Sequence, residues 1–132
     1  IDVLEHIEES EEEIELIKQH LKPNGHAIIL VPAYNFLFNS FDEKIGHFRR
    51  YDKTLLKKEV KSRLAIVELF HLDSVGFFAS VANKFFLNKE LPSRENVQLW
   101  DKVMIPISKV SDVLVLKSFG KSLIGILKND QI

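Results

Sequence analysis

Apolar positions along the chain fall into short blocks whose spacing names the elements. Ile1-Asp2-Val3-Leu4 reads as the end of a buried strand, with Glu5-His6 placing polar heads where it stops. Ser10-Glu11-Glu12-Glu13 follows as a capping box, the Ser10 hydroxyl accepting from the Glu13 amide while Glu13 reaches back. Three glutamates in the first turn suit the positive end of a helix dipole. Ile14, Ile17 and Leu21 recur at helical spacing, Lys18, His20 and Lys22 fall in the last turn, and Pro23-Asn24-Gly25 stops the helix. Residues 26–31 are apolar after His26 without alternation, the pattern of a strand buried on both faces in a parallel sheet. Pro32, which cannot donate to a ladder, ends it. Asp52 or Thr54 caps a helix running to about residue 63, with Leu55, Leu56 and Val60 inward. Residues 64–72 read as a second strand. Residues 74–87 carry Val75, Phe78, Val81, Ala82 and Phe85 on one helical face, expected to pack as core. Leu91-Pro92-Ser93 breaks the pattern, and Ser93 caps a helix carrying Val97, Trp100, Val103 and Met104. Pro106 kinks or restarts it, apolar periodicity runs on to Leu116, and residues 122–127 form a last strand. The reading is one α/β domain with a mostly parallel sheet and helices on its faces.

In such sheets ligands bind beyond the carboxyl ends of the strands. Two polar clusters come just after candidate strands, Asp2/Glu5/His6 and the segment from Asn35 to Tyr51, so both are expected on one rim. The densest chemistry lies in Gly46-His47-Phe48-Arg49-Arg50-Tyr51. Burying such a loop would leave many donors unpaired, so it reads as a lid or substrate-contact segment. The plain alternative is a solvated turn whose arginines pair with Asp42, Glu43 or Asp52. His6 and His47 are the two candidate bases, since neutral imidazole acts near neutral pH; His6 can equally bond backbone. Arg49 and Arg50 suit a two-pronged grip on an acidic or phosphorylated acceptor. Tyr51 can stack on the acceptor or donate to it, and Phe36, Phe38 and Phe41 can wall a pocket or simply pack. The acid run 8–13 reads as a solvated helix start rather than a metal cluster.

Composition narrows the classes. With 45% hydrophobic residues the chain can build a core. A net charge of −1, from 18 basic and 19 acidic residues, argues against a general nucleic-acid or membrane-surface binder. There is no cysteine, hence no disulfide framework and no thiolate metal site, which fits a cytoplasmic protein. The most apolar run, 75–87, is interrupted by Asn83 and Lys84 and is too short to span a bilayer, so an integral membrane protein is not expected. A first residue of Ile rather than Met suggests a chain cut from a longer protein. Gly120-Lys121-Ser122 fails as a phosphate loop, because the earlier glycine it needs is Val115 and the triplet leads into a strand.

The order of these pieces is similar to a known family. Asp2-Val3-Leu4-Glu5-His6-Ile7, a helix, Leu21-Lys22-Pro23-Asn24-Gly25 and a buried strand ending in Val31-Pro32-Ala33 resemble class I S-adenosylmethionine-dependent methyltransferases from the fourth strand onward. Gly46-His47-Phe48-Arg49-Arg50-Tyr51 and Phe119-Gly120-Lys121-Ser122-Leu123 look like a bacterial branch of type 11 or type 12 enzymes. The resemblance implies the C-terminal half of a Rossmann-like sheet: strands five, six and seven, the last antiparallel between the other two. It implies S-adenosylmethionine as cofactor, with Asp2, Leu4 and His6 beside it, and a small-molecule or lipid-linked methyl acceptor, without nucleic acid. It also implies catalytic roles for His6, His47, Arg49, Arg50 and Tyr51. One departure stands out: the glycine-rich cofactor loop and the acid after the second strand are missing, for Gly25, Gly46, Gly76, Gly120 and Gly125 form no such loop. The half-sheet exposes an edge through which the chain can homodimerise.

Asp2, Glu5, His6 and His47 further resemble the two-acid, two-histidine set by which small-RNA 2′-O-methyltransferases hold a metal. Mixed oxygen and nitrogen ligands suit several divalent ions. Beside the methyltransferase reading stand a non-catalytic remnant or interaction module that keeps the half-fold, and a nucleic-acid binder using Arg49 and Arg50, which the charge balance disfavours.

Overall fold

The structure, a computed structural model, describes residues 1–87 and 93–130; the expected break at Leu91-Pro92 lies outside them. The last strand is the centre of the sheet. β1 (His26–Pro32) and β2 (Ala65–Leu72) flank β3 (Ser122–Lys128), which runs antiparallel to both. The expectation of a mostly parallel sheet is therefore corrected. β1 and β2 do point the same way, but β3 separates them, and both ladders are antiparallel. An alternation of strand and helix signals shows which strands are linked through helices, not which of them touch.

β3 is also the strand covered on both sides, with Leu123, Ile124 and Leu127 buried. β1 is not. Ile28 is 64% exposed, so the continuous apolar run there belongs to an edge strand rather than a central one. Residues 1–4 form no strand either. The Asp2 amide donates to the Leu30 carbonyl at 2.9 Å, and the chain then turns through a short 3-10 segment, Leu4–His6.

α1 (Ser10–His20) starts without the capping box, for no side chain caps it. The Ser10 hydroxyl is buried and accepts from Arg49 instead (3.0 Å). α2 (Ser40–Lys44) carries a capping box of its own, from Asn39 and Asp42. α3 (Lys53–Val60) is capped by Asp52, whose carboxylate takes the Leu55 amide at 2.7 Å. Ile14 of α1, Leu56 and Val60 of α3, and Val31, Leu123 and Leu127 of the sheet share the main core.

α4 (Ser74–Ala82) runs on as a π-helical segment, Asn83–Leu87. α5 (Arg94–Leu99), a π segment (Trp100–Met104) and α6 (Ile105–Leu114) make one helical rod, and Pro106, which has no amide to donate, falls where the π segment gives way to α6. The face expected to be core is covered only in part: Val75, Val81 and Ala82 are half-buried, but Phe78 and Phe85 are each 61% exposed. The neighbouring Phe77 packs inward on Tyr34 and Phe119. Among the described residues no helix is long and apolar enough to cross a membrane.

Candidate functional site

The loop after β1 is stitched to the strand end. Tyr51 donates its amide to the Pro32 carbonyl (2.8 Å) and accepts from the Tyr34 amide (2.7 Å), leaving a parallel bridge between Ala33 and Tyr51. The Phe48 amide donates to the Glu5 carbonyl at 2.7 Å. The two polar clusters thus meet on one rim, at the carboxyl end of β1. Gly46 makes the turn between them with φ +81°, a conformation that side chains disfavour.

Asp42 is the hub. Its carboxylate accepts from Arg50 Nε (2.9 and 3.1 Å), Arg50 Nη2 (2.8 Å) and His47 Nδ1 (2.8 Å), and from the Asn39 amide at 3.0 Å. Burial by itself would raise the Asp42 carboxyl, but Arg50, His47 and the Asn39 amide more than offset it and hold it below the usual carboxylate range. A carboxylate can only accept, so His47 Nδ1 carries a proton toward Asp42, and Nε2 faces Glu5, 3.9 Å from Oε1.

Glu5 is 1% exposed, and its Oε2 has no partner. Burial, and then the nearby Asp2 charge, push its carboxyl above the ordinary value; its own amide and the two histidines pull the other way. The His6 ring stands edge-on to His47, centroids 4.6 Å apart, with Nδ1 donating to the Gly46 carbonyl at 3.2 Å. The Glu5, His6 and His47 ligand atoms lie within 4.8 Å of one another. Two imidazoles and one carboxylate with an orphaned buried oxygen fit a divalent ion by donor chemistry. Asp42 and the Gly46 carbonyl already hold the two rings from behind, as outer partners of ligating histidines do. Asp2 is not among the three residues whose ligand atoms converge.

Elsewhere the loop turns inward. Arg49 donates to the Ser10 hydroxyl (3.0 Å), the Glu59 carboxylate (3.4 Å) and the Glu8 carbonyl (2.6 Å), tying α1 to α3. Arg50 makes the anticipated two-pronged contact, but to Asp42 within the chain. Its pairing partner matches the plain alternative, whereas its setting is buried, not solvated. Tyr51 is fully buried, its hydroxyl pointing at the Leu4 carbonyl (3.4 Å), and burial pushes its pKa up to about 12. Leu4 gives its side chain to the core, while Asp2 is exposed at the rim. Phe36 is half-exposed and leans on Tyr34 and Phe77.

The sequence reading named Asp42 only as one possible arginine partner. The Asn39-x-x-Asp42 spacing, itself a helix-cap signal, could have marked it as fixed in place. His71, in the sequence a plain strand residue, is buried and stacks on Tyr34 at 5.2 Å, and burial, followed by the Lys53 charge, lowers its pKa. Lys121 stands in the sequence only as part of a failed phosphate loop. Its Nζ lies 3.1 Å from the centre of the Trp100 ring, and burial brings its pKa down to about 8. No protein-family profile and no curated protein matches the chain.

Proposed function

We propose that the chain is the acceptor-side half of an S-adenosylmethionine-dependent methyltransferase domain, acting on a small-molecule or lipid-linked acceptor. The observation that carries the reading is the strand order β1-β3-β2, with the last strand antiparallel between two strands that run the same way. That is the arrangement the family resemblance implies for strands five, seven and six. The polar rim at the end of β1 stands where such sheets bind ligands.

When bound, the cofactor supplies a methyl group on a sulfonium, and the chain's own residues position and deprotonate the acceptor. His47, oriented by Asp42, offers Nε2 as the base. His6 stands beside it, and the buried Asp42–Arg50 pair keeps both the loop and the imidazole in register. The 132 residues contain no glycine-rich loop, and of the expected cofactor neighbours only Asp2 and His6 present side chains at the rim. The chain alone is therefore not expected to hold the cofactor.

A second reading of the same rim rests on the convergence of Glu5, His6 and His47. A divalent ion held there would stabilise an ionised acceptor hydroxyl. The two readings separate by thermal melting. If Mn²⁺, Zn²⁺ or Mg²⁺ binds, saturation to a hundred times Kd adds about 2.7 kcal/mol of stability, and His47→Ala removes the gain; unchanged melting with all three ions leaves His47 as the base. The methyltransferase reading is tested by calorimetry with S-adenosylmethionine and by the coding sequence upstream of Ile1. Weak or no binding by the chain is expected, together with an upstream strand, glycine-rich loop and helix. Low-micromolar binding by the chain alone would refute the division of labour, and an upstream sequence without that loop would favour the non-catalytic module.

A further inference from the structure

A cavity of about 450 Å³ lies between the rod 94–114 and the sheet, where β2 ends and β3 begins. Leu72, Trp100, Ile105 and Val113 give it apolar walls. Its size falls within the range of small-molecule sites, about 300–1,000 Å³. Leu72 is the last residue of β2, and ligands of α/β sheets bind beyond such carboxyl ends. Two acids and two lysines also line it: Asp73, Asp112, Lys109 and Lys117. Glu95 and Asp101, the exposed acids of the rod, do not.

The two acids are committed to the fold. Asp112 accepts the Asp73 and Ser74 amides through its two oxygens, both at 2.8 Å. Asp73 Oδ1 accepts from the Ser108 hydroxyl (2.6 Å) and the Gly76 amide (2.9 Å). The Ser74 and Gly76 amides belong to the first turn of α4 and have no partner within the helix. The lysines are not committed in this way. Among the described residues no carboxylate pairs with Lys109, Lys117 or Lys121. Leu116 and Lys117 are both left-handed, with φ 52° and 51°, a conformation that side chains disfavour. The turn is held by the Lys117 amide on the Asp112 carbonyl (2.7 Å) and by the His71 amide on the Lys117 carbonyl (2.9 Å). It brings Lys117 Nζ to 4.4 Å from the centre of the Phe70 ring. Lys121, next to Ser122 of the cavity wall, lays its Nζ 3.1 Å from the centre of the Trp100 ring. An aromatic face replaces part of the hydration of an ammonium but leaves donor hydrogens unmatched. Burial lowers the Lys121 pKa to about 8 against the pull of Asp73, so the group is still charged at neutral pH.

We propose that this cavity binds a small apolar molecule carrying one carboxylate or phosphate group. The apolar body lies against the Trp100, Leu72 and Ile105 walls, and the anionic head faces the lysines. Charge selects the head, because both acids on the wall are bonded within the fold while the lysines keep donors for a ligand. A neutral or cationic ligand would leave those donors unmet. The inference does not rest on the methyl-transfer reading, since none of these residues belongs to the Glu5, His6 and His47 cluster.

Trp100 is the only tryptophan of the chain and so reports on the site. Octanoate and octyl phosphate are titrated into the chain at neutral pH, below their micelle concentrations, with octanol and octylammonium as neutral and cationic controls. Binding is followed by Trp100 fluorescence and by calorimetry. Saturable binding of one or both anions is expected, about tenfold tighter than either control, the size of one hydrogen bond to a charged group. Whichever anion binds more tightly names the head group. Lys121→Met keeps an apolar stem and should weaken anion binding about tenfold. Lys117→Gln should act in the same direction, and both variants should leave octanol unchanged. Circular dichroism melting checks that the variants fold; if Lys121→Met unfolds the chain, Lys117→Gln with Lys109→Gln carries the test. No saturable binding of either anion overturns the proposal. So does octanol or octylammonium binding as tightly as the anions, and so does anion binding that none of the lysine variants weakens.

Discussion

At the scale of single residues, two buried carboxylates on the rim are tuned in opposite directions. Asp42 is held below its model-compound value of 3.8, so it contributes stability that is present above that pH and lost as pH falls through its folded pKa. Glu5 is raised above 4.5, so its ionised form costs stability at neutral pH, and the cost fades as pH falls toward 4.5. Glu5→Gln is therefore expected to be more stable than the native chain at neutral pH, with the gap closing on acidification. Denaturant titrations across that range decide it, and a gap independent of pH would show that Glu5 carries no such cost. Asp42→Asn removes one partner of a buried pair and should cost about 3–5 kcal/mol at neutral pH. Arg50→Lys loses the two-pronged contact to Asp42 and is expected to act first on stability, seen as a lowered Tm, not on acceptor binding. His47→Ala should instead lower kcat roughly 10²–10⁴-fold in the full methyltransferase domain with cofactor Kd unchanged. Normal turnover in that variant would remove His47 as base.

At the scale of elements, what could be read in the sequence was what depends on neighbours along the chain. The helix at 53 with its Asp52 cap, the strands near 26, 65 and 122, and the restart at Pro106 follow from local spacing and chain breakers. Spacing predicts a capping role for Ser10, but its hydroxyl is claimed by Arg49, 39 residues away. Helical periodicity gives a face but not the direction in which it points: the spacing places Phe78 and Phe85 on a core face, yet both are exposed while the neighbouring Phe77 packs inward. The site was half legible for the same reason. Its residue types stood out, while the partner that fixes Arg50 and His47 did not. Gly120 shows how tightly the elements join at the rim. A Cβ there would lie 2.2 Å from the Leu72 carbonyl oxygen, which is backbone and cannot yield. Gly120→Ala should force β2 and β3 apart at their rim ends and cost about 1–3 kcal/mol or more. A Tm unchanged from the native chain would show that this joint relaxes freely.

At the scale of the whole molecule, the outer edge of β1 pairs with no strand among the described residues. β3 is paired on both edges, whereas the outer edge of β1 receives from the N-terminal segment the Asp2 amide at Leu30. Exposed Ile28, Val3 and Ile1 lie along that edge, beside a cavity of about 240 Å³ that Ile17 of α1 also lines. Free strand edges with apolar flanks invite pairing, and a charged residue on the edge suppresses it. On the proposed reading an upstream strand occupies this position in the parent protein, which should then stay monomeric, while the chain by itself pairs edge to edge. Sedimentation velocity over a concentration series should show the chain forming a dimer. Ile28→Lys should return it to monomer with its melting temperature nearly intact, because Ile28 is exposed and contributes little to the core. A chain that stays monomeric at every concentration, or a dimer indifferent to Ile28→Lys, would mean that β1 is finished as it stands and that no further strand is needed to complete the sheet.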